Sequence, residues 1–194
     1  MRPLLAALLG AVAIFVWLAV AHMFTPLGEA GLSYMPSEGP VSDALHSSIG
    51  AQPGMYMFPT GGLTKDSSQA EKAKGMERIM DEAKTKPSGM LIYKPAGTPF
   101  SFAKCLSVEF LTDFAISLIA VLLLAQTRIA TFAGRVGFVV LIGVLAAIAA
   151  NVPHWNWYGF SGTYAAANMF MEIVGLFLAG LAIAAIYKPA AASR

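Results

Sequence analysis

Four long apolar runs separated by polar stretches dominate the chain, and each is long enough to cross a bilayer, which takes roughly 20 apolar residues as a helix. The first runs from Pro3 to Met23, with Trp17 and His22 its unusual members. The second spans 106–126 and carries Glu109 and Asp113 in its first two turns, ahead of the run AISLIAVLLLA. The third spans 134–152; its apolar body begins at Val136, and Arg135 at its start is expected to snorkel to the headgroups. The fourth spans 164–187 and is interrupted by Asn168 and Glu172. The pattern predicts an all-α membrane protein, a four-helix transmembrane bundle with a small α/β-like cap between the first two spans.

The cap is expected within 24–104. Its first part, Phe24–Gly54, is rich in Gly, Pro and Ser, with a short helix over Ser42–Ile49. Strand-like pieces follow near 55–58 and 90–93, each framed by Gly and Pro and each with a Gly-Met pair ahead of a Tyr. Between them, 68–84 reads as an amphipathic helix with Ala70, Ala73, Met76, Ile79, Met80 and Ala83 on one side. Ser68 and Glu71 have capping-box spacing and fix its start. A β-α-β unit with parallel strands is the expected arrangement. It is too small to bury a core alone, and so is expected to rest on the helix ends or on a partner.

Composition sharpens this picture. Of 194 residues, 57% are hydrophobic and only 12% charged, and the mean hydropathy is +0.64; that balance excludes a soluble domain and a disordered chain. A net charge of +2 without a basic, aromatic-interleaved patch gives no footprint for nucleic acid. Arg2, Arg128, Arg135, Lys188 and Arg194 all fall on one side of a four-span topology, which the positive-inside rule makes cytoplasmic. The expected address is the cell inner membrane, with both termini, including the tail 188–194, in the cytoplasm and the long loop periplasmic or extracytoplasmic. Seven lysines and Arg78 in that loop weaken the assignment little, because long loops translocate largely regardless of charge. Ala19-Val20-Ala21 has the small-x-small form of a signal-peptidase site. The n-region is thin and the chain begins at Met1, so the first span is expected to stay as an anchor.

The candidate chemistry is polar residues within or beside apolar spans: His22, Glu109, Asp113, Asn151, His154, Asn168 and Glu172. Glu109 and Asp113 share a helix face, as do Asn168 and Glu172. Entering from outside, Asp113 lies about 10 Å and Glu172 about 13 Å deep, so the two can meet at one level. Charged groups in hydrocarbon are costly and face a bundle interior, a partner or a hydrated cavity. Two carboxylates at one depth disfavour double ionisation, which suits a proton carrier or hydrogen-bond donor. His22, Glu109, Asp113, His154 and Glu172 are also the available ligands for a divalent metal such as zinc, iron or manganese, or for haem, although no HExxH or ExxH spacing is present.

Trp155, Trp157, Tyr158 and Phe160, in the turn NVPHWNWYGFSG, read as an interfacial aromatic belt or a partner contact. Methionines 55, 57, 76, 80 and 90 fit apolar packing better than a copper site. Glycines 134, 137, 143, 175 and 180 suit close helix contacts. The single cysteine, Cys105, has no internal disulfide partner and reads as a small residue near a helix start. There is no nucleophile with a recognisable His and carboxylate beside it, and no phosphate-binding GxxxxGK loop. The leading expectation is a non-catalytic accessory, assembly or structural subunit of a membrane complex, in contact with lipid and a protein partner or a second copy. A metal- or cofactor-binding, redox-active protein and a small proton-coupled transporter are the alternatives, and enzyme status stays open.

Overall fold

A computed structural model describes residues 1–189. It is mostly helical and divides into two compact units, one formed by 1–33 with the chain from Phe100 onward, the other by 34–99.

In the first unit, four helices are long and apolar enough to cross a membrane: α1 (Arg2–Phe24), α4 (Phe102–Ala125), α5 (Phe132–Tyr158) and α6 (Gly162–Ile186). Three of them start earlier than hydropathy alone predicts, because capping rather than apolarity sets a helix start. The hydroxyls of Ser101, Thr131 and Ser161 accept from the backbone N–H groups of Lys104, Gly134 and Tyr164, respectively. The largest departure is at the end of α5. The stretch expected to be a turn from Asn151 onward is helical to Tyr158, with Pro153 inside the helix. Pro153 has no N–H to offer the carbonyl of Ala149, and the helix ends where Gly159 takes a left-handed conformation (φ 75°) with its N–H on the His154 carbonyl.

The helices pack in the order α4, α1, α6, α5, each antiparallel to its neighbour, while α4 and α5 scarcely touch. The buried core gathers at one end of this arc, from Ala6 and Ala7 of α1, Val121 and Leu124 of α4, Val139 of α5, and Ala179 and Ile183 of α6. Small residues permit the close approach there. A Cβ on Gly143 would lie 2.6 Å from Leu176 Cβ, and one on Gly10 would lie 2.9 Å from Ser117 Oγ. Gly175 and Gly180 also sit at helix contacts, but Gly134 faces its own capping turn and Gly137 meets nothing, so two of the five expected contact glycines are not contacts.

Arg135 departs from expectation too. It is only 2% exposed, and its guanidinium donates to the carbonyls of Ala130 and, at 3.0 Å, Ala184. The last carbonyls of α6 lack intrahelical donors and carry the negative end of the helix dipole, which favours an inward guanidinium over a snorkelling one.

Residues 25–33 belong with the helices. A 3-10 turn at Pro26–Glu29 packs against α1 and α6, and the Ser161 hydroxyl donates to the Gly31 carbonyl at 3.2 Å.

The second unit contains α2 (Glu38–Ile49), β1 (Gly54–Phe58), α3 (Gln69–Glu82) and β2 (Gly89–Tyr93). The capping box at Ser68 and Glu71 is formed. The strands pair antiparallel rather than parallel: Gly54 lies opposite Tyr93 and Phe58 opposite Gly89, so the chain returns to the sheet at the end it left. A parallel crossover would carry α3 along the sheet to the other end. Instead α3 docks on its own leading loop, where Leu63 covers Gly75 and Arg78 Nε donates to the Gly61 carbonyl at 2.7 Å. Met55, Met57, Met76 and Met80 are exposed and Met90 half-buried, so most of these methionines do not pack in a core of this small unit.

Candidate functional site

Where α4 and α5 fail to close, the helical unit opens into a cleft of about 770 Å³. It adjoins the core, sharing Ile14 and Leu176 with it, and runs along the carboxyl half of α1, the middle of α5 and the amino halves of α4 and α6. Its walls are mainly apolar, from Ile14 and Leu18 of α1, Ile116 of α4, Ile142 and Ala146 of α5 and Leu176 of α6. Into this surface are set His22, Glu109, Asp113, Asn168 and Glu172. Five of the seven residues of the polar set therefore share one cavity.

The other two divide. Asn151 is buried behind the wall, and its amide donates to the Ala147 carbonyl at 3.0 Å and to both carboxylate oxygens of Glu172 at 3.2 Å each. One amide hydrogen serves the α5 backbone and the other is shared by the carboxylate, which fixes Glu172 against α5. His154 lies outside the cleft, stacked on Phe160 with ring centroids 5.1 Å apart and tilted against Tyr158. Trp155, Trp157 and Tyr158 are exposed around it at the end of α5, and Phe160 is half-buried against Tyr164.

Asp113 is the unusual member. It is 2% exposed, and among the described residues its Oδ2 has no hydrogen-bond partner; neither has the buried Oγ of Ser117, one turn further along the same face. Glu109, one turn earlier, is exposed. Among the described residues no lysine or arginine lines the cleft, and the ion pairs of Lys84 with Asp81 and Lys86 with Glu82 belong to the segment around α3. A buried, ionised carboxylate without a donor or cation is unfavourable by several kcal/mol, on the order of the penalty for an unpaired buried charge. The position therefore requires a proton or a counter-charge.

The remaining polar groups are mostly acceptors or already committed. His22 Nδ1 lies 2.9 Å from the Leu18 carbonyl. A carbonyl only accepts, so Nδ1 carries the hydrogen and Nε2 of the neutral ring is left as an acceptor. Thr112 donates to the Val108 carbonyl, and Asn168 commits one amide hydrogen to the Tyr164 carbonyl. Cys105, which the sequence places as a small residue near a helix start, is exposed on the cleft lining. Among the described residues no three His, Cys, Asp or Glu side chains are grouped closely enough to hold a metal ion, and His22 and His154 do not share the cavity.

Two features of the site lay outside the sequence reading. Ser117 continues the Glu109–Asp113 stripe at the same four-residue spacing, a signal present in the sequence. The indole of Trp17 donates to the Met171 carbonyl at 2.9 Å and ties α1 to α6 beside the cleft; nothing local announces that bond. No known family model, curated protein or solved structure matches the chain.

Proposed function

We propose that this chain is a multi-pass inner-membrane protein that acts without turnover, by holding a membrane-borne ligand in the cleft between α1, α4, α5 and α6. The observation that carries the reading is Asp113, a buried carboxyl group with an unpartnered oxygen on the wall of a largely apolar cavity. Cavities of this size and lining are typical of small-molecule sites, where a few polar groups orient an otherwise apolar ligand. The cleft opens sideways between two helices, which gives access from the hydrocarbon. Support for the orientation, with both termini cytoplasmic, comes from Arg2, Arg128 and Lys188 at the same end of the bundle. The segment 34–99 then lies outside.

A second reading is favoured by the gap itself: a partner's transmembrane helix completes the ring between α4 and α5, and the chain is an accessory or assembly subunit. Native mass spectrometry of protein released gently from its own membranes separates the two. A discrete small adduct, lost in Asp113→Asn and Glu172→Gln variants, supports the ligand reading. Stoichiometric additional protein mass supports the subunit reading, and recovery as a bare chain or bare homo-oligomer refutes both.

A further inference from the structure

The hydrogen-bonding character of the cleft is one-sided. Its carboxylates, Glu109, Asp113 and Glu172, only accept when ionised, and His22 offers Nε2 as an acceptor in its neutral form. The donors nearby are largely spent: Asn151 on Glu172 and Ala147, Thr112 on Val108, and half of the Asn168 amide on Tyr164. Glu172 has its donor in Asn151, whereas Asp113 Oδ2 has none. Among the described residues, neither Lys nor Arg lines the cleft. An anionic ligand would meet three carboxylates and few free donors. A neutral acceptor would leave Asp113 as it is.

Resting on the ligand reading above, we infer that the cleft selects an apolar molecule bearing a protonated amine. The ammonium group sits between Asp113 and Glu109, and the apolar body lies along Ile14, Leu18, Ile142 and Leu176. An ammonium supplies both things the position lacks, a positive charge and N–H donors for a buried carboxylate. Charge-assisted hydrogen bonds of this kind are stronger than neutral ones. The same acidic, apolar surface disfavours fatty acids and other anionic amphiphiles, for which a membrane offers ample competition.

Cys105 provides the readout, because it lines the cleft, is exposed and is the only cysteine in the chain. In phosphatidylcholine nanodiscs at neutral pH, the rate of Cys105 alkylation by a maleimide is measured against added dodecylamine, dodecanol and dodecanoate. Dodecylamine is expected to protect Cys105 at a concentration about tenfold or more below that of dodecanol, the ratio one charge-assisted hydrogen bond supplies. Dodecanoate is expected to protect least. Asp113→Asn is expected to bring the amine and the alcohol together. Glu109→Gln, at an exposed position, gives a partial loss of preference and serves if Asp113→Asn does not fold. Equal protection by all three amphiphiles in the wild type and both variants overturns the amine preference while leaving a ligand-binding cleft. Absence of protection by any of them overturns both.

Discussion

The packed end of the bundle makes a quantitative prediction at Gly10. A methyl group there would stand 2.9 Å from Ser117 Oγ and 3.2 Å from two carbons of Ile183, well inside ordinary van der Waals separation, so Gly10→Ala overpacks the α1–α4 contact. Overpacking of this kind costs about 1–3 kcal/mol. The same change gains about 1 kcal/mol of helix propensity, and the net destabilisation expected is roughly 0–2 kcal/mol. Ser117→Ala alone is expected to be near neutral, because the hydroxyl is buried without a hydrogen-bond partner and its removal breaks nothing. In the Ser117→Ala background the nearest obstacle to the Gly10 methyl is gone and only the Ile183 side chain must yield.

Helix propensity cancels in the double-mutant cycle, so the coupling between the two sites isolates the contact; its expected size is about 1–2 kcal/mol, with the double variant more stable than Gly10→Ala. The assay is reversible unfolding in mixed micelles titrated with denaturing detergent, followed by far-ultraviolet circular dichroism. Coupling below about 0.5 kcal/mol, the limit within which independent sites add, refutes the packing argument and the helix register on which it rests.

At the cleft, Asn151→Leu removes the donor to Glu172 and is expected to destabilise the bundle by about 1–3 kcal/mol in the same assay; unchanged stability would mean that the bond does not form. Arg135→Met is expected to cost a similar amount by leaving the Ala184 carbonyl without its donor, with Arg135→Lys intermediate, and full tolerance of methionine would favour a snorkelling arginine. In α3, hydrogen bonds from the Ser68 hydroxyl and then its backbone N–H hold the Glu71 carboxyl below its ordinary value of 4.5. A depressed folded-state value means that the stabilisation is complete above the ordinary value, shrinks as pH falls through it and is lost below the folded-state value. Amide exchange in the first turn of α3, compared with Glu71→Gln at each pH, is expected to show extra protection near pH ~6 that shrinks as the pH falls through the carboxylate range; a pH-independent difference would refute the box as its cause.

Much of the architecture is carried by short-range sequence signals. The four long helices, the Ser68–Glu71 box, α3 and the two strands follow from hydropathy, periodicity and turn residues within windows of a few to some twenty residues. The starts of α4, α5 and α6 were also present locally, in Ser101, Thr131 and Ser161, but hydropathy passes over polar first turns. The helical course of α5 through Pro153 was not legible in this way, because a proline followed by aromatic and polar residues resembles a loop until the Gly159 cap is seen to close it.

Partnerships between segments depended on tertiary structure. Equal spacing put Glu109 with Asp113 and Asn168 with Glu172 on shared faces, and helix rise put Asp113 and Glu172 at one depth. Only the packing order α4, α1, α6, α5 opened a cleft to receive them, paired Glu172 with Asn151, left Asp113 without a partner and set His154 apart. The antiparallel return of β2 and the inward turn of Arg135 were decided by long-range contacts in the same way. Local sequence fixes which groups lie on a given face of a helix, since backbone geometry repeats every few residues. Which of those faces meet depends on side-chain volumes and unsatisfied backbone groups brought together from distant parts of the chain, and that information exists only once the helices have packed.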